Sequence, residues 1–299
     1  MNNKFNKALL LALCTLSTGL YIGCNNPPQQ NNTIVTVQDT VPQKVSESLA
    51  ADTLSHQNIG FGVFDDSRKQ LILVDDEEHP SNVKALSYVW SNEKAYPFEF
   101  VKMQKESEDY NGRQTPENFN NIPGAVFQLR EKLSPGEAYA FLANDNFHKT
   151  RKAVSVKKEL ADANKSSVVA ELKKSYQSPI KNIKLIATTV EKDSVFLAQL
   201  APVADTLTVL LIAKSHTNPT LFIQEFKAEY DEISTWRVDD GGQFPMEDFD
   251  ILNVFHYNNK IELVTSFPGA EGGNLSFITP DKQNRYHTLK EAYVYWSPL

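Results

Sequence analysis

The densest group of residues able to do chemistry lies at residues 234–250, STWRVDDGGQFPMEDFD. Trp236 and Arg237 stand beside Asp239 and Asp240, Gly241-Gly242 lets the backbone turn sharply, and Glu247, Asp248 and Asp250 follow. An indole face can stack on a ring while charged groups fix its polar atoms, which suits a sugar or a peptide terminus. The same carboxylates could serve calcium, which takes roughly six to eight oxygens. The EF-hand spacing D-x-[DN]-x-[DN]-G is not met, however. The plain alternative is a strand end, a glycine turn and a short acid-capped helix near Pro245, with Trp236 in the core. Trp236, Arg237, Asp239 and Asp240 are therefore the candidate ligand-binding residues.

Other stretches carry weaker signals. Residues 268–274, PGAEGGN, could aim backbone N–H groups at an anion, but they lie between two strand-like runs and read better as a hairpin loop. Residues 75–80, DDEEHP, read as a solvated turn, because like charges in sequence repel and seek water. None of His56, His79, His148, His216, His256 and His287 lies four residues from another, so no zinc-protease helix is present. No G-x-S-x-G elbow occurs. A triad, or a carboxylate pair such as Asp239 and Glu247, stays open, since only the fold brings such residues together. No catalytic residue, metal ligand or cofactor is assigned. In EAYVYW the strand period puts Tyr293 and Tyr295 on one face and Val294 and Trp296 on the other.

The elements that must position these residues are mostly strands. IGFGVF and QLILV flank DDSRK, and VKALSYVW and YPFEFVKMQ flank SNEKA, each pair reading as a hairpin. Residues 106–121 form a long polar loop, and GAVFQL and EAYAFLA follow around a Pro135-Gly136 turn. Residues 59–145 thus predict an antiparallel sheet of about six short strands. Val156, Leu160, Ala163, Val169, Leu172 and Tyr176 then mark a helix from about 156 to 176, with a possible split at Asn164-Lys165-Ser166. IKLIATTV, VFLAQLAP, TLTVLLIAK and TLFIQEFKAEY return to strands. One helix followed by four antiparallel strands resembles the cystatin-like layout in element order. FDILNVFHY and KIELVTSF meet at Asn258-Asn259, and LSFIT and LKEAYVYW close the chain. The fold class is α+β, mainly antiparallel β with one or two helices. The divisions are 1–23, 24–58, 59–150 and 151–299.

The first of these divisions says where the protein works. Residues 1–7 carry Lys4 and Lys7 and no acid, and residues 8–22 are largely apolar. That run is shorter than the roughly 20 apolar residues of a spanning helix and reads as an export signal. Tyr21-Ile22-Gly23-Cys24 resembles the lipobox of bacterial lipoproteins, with Tyr21 where that family has an aliphatic residue. The resemblance implies cleavage between Gly23 and Cys24 and lipidation of Cys24. The alternative is ordinary cleavage after Gly19. Cys14 is the only other cysteine, so a mature chain has no internal disulfide, zinc-thiolate site or second thiol to use.

Residues 24–58 read as a polar spacer able to hold a domain about 30–35 Å from its anchor. Loss of residues 1–23 removes Lys4 and Lys7 and no acid, taking the formal charge from −7 to −9. So acidic a chain disfavours nucleic acid and anionic lipid surfaces, leaving membrane association to the acyl chains. Asp-Thr-aliphatic and Asp-Ser-aliphatic triplets at Asp39, Asp52, Asp193 and Asp205 resemble an O-glycosylation site of some Gram-negative periplasmic proteins, with Thr40 and Thr53 the accessible ones.

The sequence thus predicts an envelope lipoprotein at the outer membrane, facing the periplasm, with a binding or assembly role toward a glycan, peptide or envelope protein. The rivals are a carboxylate-dependent hydrolase and a calcium-binding module.

Overall fold

Alternating apolar residues between short polar turns build antiparallel ladders, and a computed structural model shows how they layer. It describes residues 54–74, 80–133, 138–157, 164–204, 206–229, 244, 246–269 and 271–296. All belong to one unit, Asp52–Leu299; the other unit, Met1–Ala51, lies outside the described residues, with Gly23, Cys24 and Thr40. The described chain is mainly antiparallel β with two short α-helices, as the sequence predicts.

The first six strands are β1 (Ile59–Phe64), β2 (Gln70–Leu73), β3 (Leu86–Ser91), β4 (Lys94–Gln104), β5 (Gly124–Leu129) and β6 (Tyr139–Asn144). They close into a barrel in the order β1-β2-β5-β4-β3-β6. Side chains alternate across its wall. Phe64, Leu71, Leu73, Val89, Phe98, Phe127 and Leu142 fill the interior. Ile59, Phe61, Ile72, Trp90, Val126 and Phe141 face outward into a second core. Both faces of β1 are buried, which is why IGFGVF is an unbroken apolar run.

The expected six-stranded sheet is therefore closed, and the two strands flanking Pro135-Gly136 are not neighbours. β5 pairs with β2 and β4, while β6 pairs with β1 and β3. Closure leaves no free edge on this sheet. Gly124 opens β5 at φ +148°, where a Cβ would meet Leu73 O at 2.6 Å, so only glycine lets β5 approach β2 there.

The chain leaves the barrel through α1 (Asp145–Thr150), whose first turn is capped by Asn144 Oδ1 accepting from Phe147 N. It continues into β7 (Lys152–Val154) and β8 (Val156–Lys157), then α2 (Lys165–Ser175). β9 (Ile180–Thr189), β10 (Ser194–Leu200), β11 (Thr206–Lys214) and β12 (Leu221–Glu229) form an antiparallel meander with β8 at its margin. β13 (Asp250–Tyr257), β14 (Lys260–Pro268), β15 (Gly272–Pro280) and β16 (Tyr286–Tyr295) form a second sheet, bordered by β7.

These elements stack in layers. Val168 and Leu172 of α2 cover one face of the β9–β12 meander with Phe196, Leu210 and Ile212. Its other face, with Val195, Leu197, Val209 and Leu211, packs against Ile251, Val254, Ile261 and Leu263 of the second sheet. The opposite face of that sheet presents Phe255, Val264, Leu275 and Phe277 to the barrel. Phe141, Phe147, Phe255 and Phe277 meet there with ring centroids 4.9–6.5 Å apart, close enough for edge and stacked contacts.

Two local expectations change. The helix predicted from residue 156 begins at Lys165 instead; Val156 and Lys157 pair with Thr189 and Thr188 as strand, and residues 158–163 lie outside the described residues. The buried helix positions are Val168 and Leu172, not Val169. Asn164, at φ +80°, precedes the helix and accepts from Ser167 Oγ through its carbonyl. α2 followed by four antiparallel strands keeps the expected element order. Among the described residues no helix is long and apolar enough to cross a membrane.

Candidate functional site

Trp236, Arg237, Asp239 and Asp240 lie outside the described residues, as do Asp75–His79 and Thr53. The PGAEGGN stretch is the β14–β15 hairpin, closed by Gly269 N donating to Gly272 O at 2.7 Å. Ring packing accounts for its later glycines. A Cβ on Gly273 would sit 2.5 Å from the Trp296 ring, and one on Gly272 would meet Val294 O and the Tyr293 ring. Ser194, in one glycosylation-like triplet, is fully buried.

A histidine cluster invisible in the sequence joins the β9–β10 turn to β13. His256 Nε2 meets Asp193 Oδ2 at 2.8 Å, and its Nδ1 lies 3.3 Å from Glu191 Oε2. Asp193 also accepts from Thr189 Oγ1 at 2.8 Å and from His216 N at 3.2 Å. Burial pushes the Asp193 carboxyl up, but bonds from His256 and Thr189 outweigh it and hold the group below its usual range. Lys152 pairs with Glu191.

Ser215 lines a hollow of about 440 Å³ with His256 and Lys260, so a serine, a histidine and an aspartate come near one another. A relay needs one imidazole nitrogen turned to the serine. Here both are engaged by carboxylates, so the ring serves as a clamp between two acids. The acids address opposite nitrogens, and among the described residues no group of His, Cys, Asp and Glu is placed to hold a metal.

A second cluster centres on the buried side chains of Arg151 and Glu262. Arg151 Nε and Nη2 reach Glu262 at 3.1 and 3.5 Å, Thr279 Oγ1 donates to Glu262 at 2.8 Å, and the Tyr257 ring lies 3.9 Å from the guanidinium. A third, on the surface, links Tyr176, Glu225, Lys227 and Arg285. Each matches charge with charge.

The region that differs is the loop between β4 and β5, residues 105–123. It exceeds the roughly 12–15 residues beyond which structure-poor loops tend to be functional. Gln104 and Gly124 pair at its base, and Gln104 Nε2 donates to Phe119 O and Ile122 O, both at 2.8 Å. Phe119 and Ile122 anchor it in the outer barrel core. Buried Asn118 binds its turn together: Nδ2 donates to Asn111 Oδ1 and Arg113 O, and Oδ1 accepts from Asn121. Gln114 grips the end of β16, donating through its backbone to Tyr295 O at 2.7 Å and accepting from Tyr295 N at 3.1 Å.

This fixed loop has two sides. Tyr110, Gln114 and Ile122 face a hollow of about 660 Å³, completed by Leu73, Val74, Val83 and Met103. Met103 is 61% exposed, an unusual position for a large apolar side chain. Among the described residues Tyr110 is the single titratable one of this lining; burial first, then the Glu106 charge, push its hydroxyl up. Asn111, Arg113, Thr115, Glu117 and Asn118 face the other way, into a cleft of about 430 Å³ bounded by Trp296. The sequence marks residues 106–121 only as a polar loop. Its length and its arginine among asparagines were the signals that could have found it, since ligand sites favour loops on rigid scaffolds.

Comparison with known proteins adds no relative: no family model, no curated protein and no solved structure matches the chain.

Proposed function

We propose that this chain is a lipid-anchored protein of the bacterial envelope, held at the outer membrane by acyl chains on Cys24. Its β-rich body binds an apolar or amphipathic small molecule in the hollow beside the 105–123 loop. The anchor rests on the sequence around Gly23 and Cys24. The observation that carries binding is the hollow itself. Its volume of about 660 Å³ lies within the roughly 300–1,000 Å³ of small-molecule sites, which are mostly apolar with a few polar groups. Leu73, Val74, Val83, Met103 and Ile122 supply the apolar wall, and Ser81, Gln104 and Gln114 the polar points. Among the described lining residues Tyr110 alone is titratable, and these residues suit holding a ligand more than acid–base chemistry at neutral pH.

Two measurements test this reading. Labelled palmitate should enter the wild-type chain and fail to enter Cys24→Ala; labelling of the variant overturns the anchor. The dye N-phenyl-1-naphthylamine should brighten on binding, and Met103→Glu should weaken it about tenfold or more with thermal stability unchanged. Equal brightening by both proteins overturns the hollow as the site.

A further inference from the structure

We propose that the cleft between Arg113, Glu117 and Trp296 is a second binding site, one that takes a carboxylate-bearing sugar of the uronic acid class. It is separate from the apolar hollow and does not depend on the reading given for it.

The first observation is an arginine without a partner. The Arg113 guanidinium forms no ion pair or hydrogen bond with any described residue, and its Nε is out of reach of water with no acceptor. Leaving a buried charged donor unpaired costs free energy, and such groups call for an explanation. Elsewhere Arg130 meets Glu99, Arg151 meets Glu262 and Arg285 meets Glu225. The planar fork of a guanidinium matches a carboxylate in two-point fashion.

The second observation is a fixed aromatic plate. Trp296 stacks with Tyr139 at 5.9 Å and 27°, lies against Gly273, and is tied through its backbone N–H to Glu271 O at 3.0 Å. A rigid ring is a low-entropy platform for the C–H face of a pyranose.

The third is the placement of acceptors. Its own backbone N–H and the Thr115 hydroxyl hold the Glu117 carboxyl below its usual range, so it stays ionised. An ionised acid accepts from hydroxyls and repels a second acid. The ligand's carboxylate therefore goes to Arg113 and its hydroxyls to Glu117 and Asn111. A ring with an acid on one edge and hydroxyls on the other satisfies both, whereas a peptide terminus offers no hydroxyl row. The Asn118 bonds hold this turn in place before any ligand arrives.

The test titrates the full-length chain in detergent micelles with methyl β-glucuronide, followed by NMR. Methyl β-glucoside and the tripeptide Ala-Ala-Ala serve as comparators. The glucuronide should bind at least tenfold more tightly than the glucoside. Arg113→Gln should abolish that preference with an unchanged circular dichroism spectrum. Arg113→Lys, keeping the charge without the fork, should retain part of it, and Met103→Glu should leave it intact. Absence of glucuronide binding, equal affinity for both sugars, tighter binding of the tripeptide, or an unchanged preference in Arg113→Gln would each overturn the proposal.

Discussion

At the His256 cluster every charge has an answering group: two carboxylates hold one imidazole ring, and a hydroxyl and a backbone N–H complete Asp193. At the 105–123 loop the polar groups are just as dense, but the Arg113 guanidinium has no partner among the described residues. Both regions contain charged groups, asparagines and a hollow, so residue inventory alone does not separate them. Engagement does. A network closed on itself holds strands together; one that stops short by a carboxylate has room for a ligand.

Substitutions can break this contrast. The largest effect is expected at the Arg151–Glu262 pair, the extreme closed case, with side chains 1% and 0% exposed. Glu262→Ala should lower stability by about 3–5 kcal/mol in urea unfolding, because it strands a buried guanidinium. The double variant Arg151→Met with Glu262→Leu should recover most of that loss. A small effect of the single substitution would show that the closed network carries little.

Asp193→Asn should cost about 2 kcal/mol, since it weakens charge-assisted bonds to a buried acceptor. The pH dependence follows from the lowered Asp193 pKa. The folded state binds this proton less readily than the unfolded chain. Its stabilisation is therefore complete above the ordinary aspartate value of about 3.9 and is lost as pH falls through the lower folded value. Unfolding measured across that acid range should show a shallower decline in Asp193→Asn than in the wild type. Identical slopes would remove Asp193 from the account.

The smallest effect is expected where the network is open. Arg113→Gln should lower stability by no more than about 0.5 kcal/mol, since the guanidinium makes no ion pair or hydrogen bond with a described residue that the substitution could remove. A loss comparable to that of Asp193→Asn would place Arg113 among the structural charges and dissolve the distinction.

What the sequence made legible was what neighbours decide. The Asn258-Asn259 turn, with both residues at positive φ (48° and 61°), fixes the β13–β14 hairpin from the chain alone. Closure of the barrel, by contrast, depends on β6 meeting β1 and β3 rather than β5, a pairing no local turn encodes. The apolar spacing from Val156 overreached because a strand of two residues and a helix of three turns share an apolar texture. The sites needed still longer reach. Asp193 and His256 are 63 residues apart, Arg151 and Glu262 are 111 apart, and Gln114 reaches Tyr295 across 181. The stretch around Trp236 drew attention because its polar residues are adjacent, whereas the Arg113 cleft is assembled from one loop and a distant strand end.

Strand β14, inside the second sheet, packs apolar residues on both faces, Ile261 and Leu263 on one and Val264 on the other, so hydrophobic alternation does not tell it which way to face. In a half-exposed sheet a slip of one residue is rejected because it sends apolar side chains to water; here a slipped strand would find oil on either side. Glu262 breaks that symmetry. Displaced by one position, it would leave Arg151 and Thr279 and enter the layer of Ile251, Val254 and Leu263, an unpaired carboxylate among hydrocarbon. A buried charge therefore marks the correct frame of a strand that would otherwise read equally well in two.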